Sequence, residues 1–136
     1  MTPDDMKQRT RQLALRVVRL VESLPNTRTG DVIGKQLLRC EMSVGANYRS
    51  ACRAKSRADF AAKMGIVEEE ADEIAYWIEM LVDCGLVKQN LVEPLIVEAN
   101  EIVAITVSSI RTARNNADGR SSRKSAIRIP QSAISP

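Results

Sequence analysis

Residues 68–80, EEEADEIAYWIEM, combine the two features that decide how this chain folds. Apolar side chains recur three or four positions apart, at Ala71, Ile74 and Ile78, which is the spacing of one face of an α-helix. Around them stand six carboxylates and a Tyr-Trp pair, in a chain with only one Trp, one Phe and two Tyr. The stretch predicts an amphipathic helix and raises the question of what its acidic and aromatic positions face.

The same helical periodicity occurs in three further segments, each bounded by residues that start or stop helices. The predicted boundaries are Thr2 and Pro25 for the first helix, Thr29 for the start of the second, Ser56 and Gly85 for the third, and Asn90 for the start of the fourth. Pro94 is placed in the first turn of the fourth helix, where its missing N–H is tolerated. Gly34 and Gly45, inside the second helix, are interpreted as positions of close helix approach.

Short connections make consecutive helices antiparallel neighbours, so the predicted fold is all-α, an up-down-up-down antiparallel four-helix bundle over residues 1–116. The remaining segment, residues 117–136, is basic, rich in Ser and contains two Pro. That composition predicts a disordered basic C-terminal tail.

The composition also excludes several classes of site. The chain has no His, which removes Ser-His and Cys-His catalysis and every His-containing metal site. Its three Cys lack CxxC spacing, so free thiols are expected rather than a zinc site. Neither a membrane-spanning apolar run nor a signal peptide is recognisable. We expect a cytoplasmic protein without cofactor or metal and without membrane contact.

Charge is divided unequally along the chain. Residues 1–57 carry 12 Lys/Arg and 5 Asp/Glu, residues 58–118 carry 4 and 12, and residues 119–136 carry 4 and none. Such a distribution suits a polyanion-binding face, and it also suits attraction between the basic and acidic halves of neighbouring copies.

A helical wheel of the second helix gathers its cations opposite the core, and the following residues and the tail add more. This predicted basic surface comprises Lys35, Arg39, Arg49, Arg53, Lys55 and Arg57, with Arg120, Arg123 and Lys124 from the tail. Arginines bind phosphates bidentately, so these residues are candidates for contact with an RNA or DNA backbone. Because no aromatic side chain interleaves them, binding is expected to be independent of sequence. The alternatives are a solvated face or pairing with an acidic surface of a neighbouring subunit.

The third helix has an apolar and acidic flank outside its core stripe. This flank consists of Ile66, Glu70, Glu73, Trp77 and Met80. Exposed aromatic and aliphatic side chains of this kind are typical of protein interfaces, so the flank is interpreted as a subunit interface.

A catalytic alternative is a magnesium site. Glu69, Glu70 and Glu73, followed by Glu98 and Glu101 on the next helix, look like the magnesium motif of the all-α nucleotide pyrophosphatases. That family ends its second motif in Asp, whereas Glu occupies the position here. The wheel also places Glu69 far from the bundle interior, so a shared buried site is difficult to build.

Several short motifs resemble a known family. They are QLLR at 36–39, Ser43 with Asn47, RAKS at 53–56, and EEADEIAYWIEML at 69–81. Over residues 5–115 the chain resembles the four-helix bundle proteins encoded in intervening sequences of bacterial 23S rRNA genes. The resemblance implies a homopentamer with a basic nucleic-acid-binding surface. A relative of that family, the accessory protein of diversity-generating retroelements, implies a reverse transcriptase as a further partner. Two stretches depart from the family pattern, Cys40-Glu41 and Ser50-Ala51-Cys52.

The sequence thus predicts a non-enzymatic, homo-oligomeric bundle that binds RNA or DNA. The competing hypotheses are a scaffold that docks a protein without nucleic acid and the magnesium-dependent pyrophosphatase.

Overall fold

A computed structural model describes the backbone of residues 1–121 and the side chains of residues 1–116. Four helices follow one another: α1 Pro3–Glu22, α2 Arg28–Cys52, α3 Arg57–Asp83 and α4 Gln89–Ser121. They confirm the predicted all-α four-helix bundle. α4 continues to Ser121, so the boundary expected at residue 116 falls inside a helix. The rest of the predicted tail, residues 122–136, lies outside the described residues.

Polar side chains start the first three helices as their sequence suggests. Thr2 and Asp5 form a reciprocal capping box at α1, and the Ser56 hydroxyl accepts a hydrogen bond from the amide of Asp59 at α3. The start of α2 differs slightly from the prediction, since Thr27 caps it rather than Thr29. Gly85 ends α3 with a φ of 76°, a left-handed conformation that favours glycine.

The start of α4 was predicted wrongly. Asn90 lies inside the helix, which begins at Gln89, and Pro94 consequently falls in the second turn. There the proline lacks the N–H that would bond the carbonyl of Asn90, a cost that the first turn would have avoided.

The core is aliphatic, with Tyr48 and Phe60 as its aromatic members. α3 is the central element of this packing, because it makes extensive contact with both α2 and α4. α1 packs less extensively on α2, and its contact with α4 is the thinnest of the four. None of the described helices is long and apolar enough to span a membrane.

The two glycines singled out in α2 have different surroundings. A Cβ at Gly34 would lie 3.1 Å from Cγ1 of Val21, so this glycine lets the start of α2 approach the end of α1 closely. The same interpretation is wrong for Gly45, where an added Cβ would meet no atom within 4 Å. Gly45 instead borders an open groove between α1 and α2.

Candidate nucleic-acid interface

Four of the predicted cations stand exposed on the outer side of α2 and just beyond its end. We call Lys35, Arg49, Arg53 and Lys55 the basic stripe. None of their side chains forms a salt bridge with any side chain that the structure describes. Lys35 and Arg53 lie 18 residues apart on nearly the same side of the helix, so the stripe is about 27 Å long. A track of this length suits several consecutive phosphates.

Arg39 lies on the same side of α2 but has partners inside the bundle. Its guanidinium contacts the carboxylates of Glu70 and Glu73 on α3, each at 2.9 Å. The side chain is 49% exposed. Arg39 therefore joins α2 to α3, and a phosphate reaching it would compete with two carboxylates.

Arg57 does not share the exposed surface on which the sequence placed it. It is the first residue of α3, only 7% exposed, and its guanidinium nitrogens have no hydrogen-bond partner within the described part of the chain. A buried position in the first helical turn keeps this cation away from a bound polyanion. The side chains of Arg120, Arg123 and Lys124 lie outside the described residues.

Two further cations near the stripe were missed by the sequence reasoning. Lys7 and Arg11 of α1 line the same groove as Arg49 of α2. Their spacing of four residues places them on one side of α1, a signal that a wheel of that helix contains. The positive surface thus extends from α2 across the groove to α1.

The predicted interface flank of α3 is largely engaged within the chain. Glu70 and Glu73 pair with Arg39, while Trp77 and Met80 pack against the hydrophobic core. Ile66 is 41% exposed. Tyr76, which the flank did not include, is 52% exposed and meets the Trp77 ring edge-on, with 4.9 Å between ring centroids.

The carboxylates of the suggested magnesium motif are divided between two sides of the bundle. Arg9 of α1 binds Glu98 through two hydrogen bonds of 2.6 and 2.8 Å and also contacts Glu101, both on α4. Glu70 and Glu73 instead face Arg39 where α2 meets α3. Each pair of carboxylates is thus bound by its own arginine, so the two motifs do not converge on one site.

Only one described group of side chains has the spacing of metal ligands, namely Cys40 with Glu70 and Glu73, whose ligand atoms lie within 4.8 Å of one another. Burial, followed by the charge of Glu73, raises the pKa of the Cys40 thiol to about 12. The free thiol is therefore protonated at neutral pH. With Arg39 already on both carboxylates, this group functions as an ion pair between helices.

Comparison with known proteins agrees with the resemblance seen in the sequence motifs. A crystal structure from Bacteroides thetaiotaomicron, of a protein with unknown function from the S23 ribosomal protein family, matches with a TM-score of 0.75 at 35% identity. The match covers 82% of this chain and 99% of that one. No curated protein matches. The sequence profile of the 23S rRNA-intervening sequence proteins matches residues 4–108, and the chain belongs to that family.

Proposed function

We propose that this protein is a non-enzymatic, homo-oligomeric bundle that binds RNA or DNA through the basic stripe. The observation that carries the proposal is the contrast between the stripe and Arg39. Lys35, Arg49, Arg53 and Lys55 are exposed and form no salt bridge within the described residues, whereas Arg39 is paired within the chain. Unpaired guanidinium and ammonium groups bind phosphates, because releasing the counterions of the nucleic acid favours association.

Fluorescence anisotropy across a salt series tests this proposal. The wild type is expected to bind generic oligonucleotides with an affinity that falls steeply as salt rises. Arg49→Glu combined with Arg53→Glu should weaken binding and lower the slope of log affinity against log salt by about 0.7 to 0.9 for each phosphate that the variant no longer neutralises.

Arg111→Glu combined with Arg114→Glu is the matched control, because these exposed arginines lie on α4 and the change in net charge is identical. The control should bind like the wild type. Equal reductions of affinity in both variants would mean that net charge alone determines binding. Absence of wild-type binding at low salt would overturn the proposal in favour of a scaffold that docks protein.

Self-association is the second part of the proposal, and the outer side of α3 supports it. Ile66 and Tyr76 present apolar surface to solvent there, beside the half-buried Trp77. Exposed aromatic and aliphatic groups of this kind are enriched in subunit interfaces. The resemblance of the sequence motifs to a pentameric family points to a ring.

Ile66→Lys tests the interface without disturbing the core, since Ile66 is not a buried residue. Light scattering should give a lower mass for this variant than for the wild type. Val97→Lys on α4 is the control, because Val97 is exposed to a similar extent. A wild type that scatters as a monomer would refute self-association, and an unchanged mass in Ile66→Lys would remove this face from the interface.

A further inference from the structure

The groove between α1 and α2 has the size of a ligand site. Its volume is about 610 Å³, within the range of roughly 300 to 1,000 Å³ that is usual for small-molecule pockets. One wall comes from α1 and the other from α2 around Gly45. The charged residues that line it are Asp4, Lys7, Arg11, Glu41 and Arg49.

Glu41 is the unusual member of this lining. It is only 2% exposed, and neither carboxylate oxygen has a hydrogen-bond partner among the residues that the structure describes. An unpaired ionised carboxylate costs several kcal/mol to bury, so such groups are normally held neutral or satisfied by a partner. Burial raises the pKa of Glu41 to about 8, which makes it a carboxylic acid at neutral pH. A neutral carboxyl group offers one O–H donor and one carbonyl acceptor side by side.

The other charged groups of the groove determine what can approach Glu41. Lys7, Arg11 and Arg49 form no salt bridge with the described side chains, and Asp4 supplies the one fixed negative charge. With Glu41 neutral, the lining carries a net positive charge. A cationic side chain from a partner would be repelled by the three cations, and an apolar one would leave Glu41 unsatisfied. The complementary occupant is anionic at one end and presents a neutral donor–acceptor edge at the other.

A nucleotide has this combination of groups. We propose that the groove holds one unpaired nucleotide of a single-stranded nucleic acid, with its phosphate on Lys7, Arg11 and Arg49 and its base edge hydrogen-bonded to the carboxyl group of Glu41. The proposal rests on the nucleic-acid binding proposed above and specifies the form of the strand. A base in a duplex has its pairing edge occupied and must leave the stack to enter a pocket. The groove therefore selects single strands over duplexes.

The vacant position beside Gly45 allows the groove to be filled by substitution. Gly45→Leu adds a side chain where a Cβ meets no atom within 4 Å, and leucine favours the helix more than glycine does. This variant should bind a short single strand more weakly by at least about fivefold, the lower end of what a bidentate base contact contributes. Binding of a duplex of the same length should be unchanged.

Gly65→Leu is the matched control. Gly65 also lies inside a helix, an added Cβ there also meets no atom within 4 Å, and it borders a different groove between α3 and α4. This variant should bind both oligonucleotides like the wild type. If Gly45→Leu binds the single strand as tightly as the wild type does, the inference fails while the proposed function stands. If the wild type binds neither oligonucleotide, the proposed function fails first.

Variants of Glu41 test the floor of the groove. Glu41→Gln keeps a donor and an acceptor, so it should retain single-strand binding within about twofold, whereas Glu41→Leu should weaken it as much as Gly45→Leu does. A nucleoside monophosphate should compete with the single strand for the wild type and not for Gly45→Leu. Weakening of binding in Glu41→Gln comparable to that in Glu41→Leu would overturn the role of the neutral carboxyl group. A change in oligomer mass caused by Gly45→Leu would assign the groove to a second copy of the chain instead.

Discussion

Charged side chains are paired on one side of α1 and unpaired on the other, among the residues that the structure describes. Toward α4, Arg9 meets Glu98 and Glu101, so cation and carboxylates satisfy one another. Toward α2, Glu41 is buried with both oxygens unpartnered among the described residues, and Lys7 and Arg11, which line the same groove, form no salt bridge with a described carboxylate. One contact between helices is thus closed by an ion pair, and the other keeps a polar group without its partner.

The ion pair stabilises the bundle, whereas the unpartnered carboxyl group weakens it. Of the four main helix contacts, α1–α2, α2–α3, α3–α4 and α1–α4, the last has the least packing. An ion pair there therefore adds to a weak contact between helices. An unsatisfied buried carboxyl group has no such benefit, because folding removes its water without replacing it. Glu41 borders the open groove, so the ligand proposed there would supply the missing partner.

The largest expected effect is at Glu41, in the pH dependence of stability. Its pKa rises from an ordinary value of 4.5 to about 8 on folding. Between these values the unfolded chain is ionised and the folded one is protonated, so stability is full below pH 4.5 and falls as pH rises toward 8. The cost reaches about 3 to 5 kcal/mol at pH 8, at about 1.4 kcal/mol for each unit of pKa difference.

Glu41→Gln removes this ionisation. Urea unfolding should give similar stabilities for variant and wild type at pH 4.5, and a variant that is increasingly the more stable as pH rises to 8. Glu93→Gln is a control, since Glu93 is exposed. A constant difference between Glu41→Gln and wild type across this pH range would show that Glu41 ionises normally in the folded protein.

The second effect concerns the opposite side of α1. Arg9→Ala leaves the Glu98 carboxylate, whose side chain is 18% exposed, without its two hydrogen bonds. The free energy of unfolding should fall by about 1 kcal/mol, the upper end for ion pairs that water still reaches. Chemical unfolding in low salt measures this decrease, and Arg19→Ala on the exposed side of α1 should leave stability unchanged. If Arg9→Ala matched Arg19→Ala, the ion pair would not contribute to closing the bundle.

The sequence predicts the fold well because the fold depends on spacing. The stripe Phe60, Met64 and Val67 is buried as periodicity requires, and Gly85 and the capping serine end and start helices for local reasons. The surface is harder to predict, since a wheel places a residue on a side of a helix without showing what stands opposite. Arg39 faces two carboxylates of α3 that are 31 and 34 residues away, and no local pattern contains that contact.

Glu41 is a second residue whose side of the helix is predictable from the sequence and whose surroundings are not. Leu37, Glu41, Val44 and Tyr48 follow one another at helical core spacing, so a buried carboxyl group was predictable from the wheel of α2. The wheel does not show that a groove lies between α1 and α2 beside this glutamate. Whether a glutamate at a core position reaches solvent, a partner or neither depends on how far α1 stands from α2, and that distance is set by residues in both helices.

The smallest effect is expected at Arg39, which repeats the arrangement of Arg9 on the other side of the bundle. Each arginine reaches two glutamates three residues apart, but Arg39 is more exposed and lies on the extensively packed α2–α3 contact. Arg39→Ala should therefore lower the thermal midpoint less than Arg9→Ala does. The difference in midpoint between Arg39→Ala and the wild type should shrink at high salt, because solvent ions screen an exposed pair. Arg111→Ala, an exposed arginine without a described salt bridge, is the reference for no effect. A midpoint for Arg39→Ala at or below that of Arg9→Ala would mean that pairing, and not helix packing, holds α2 to α3, and the contrast between the two arginines would fail.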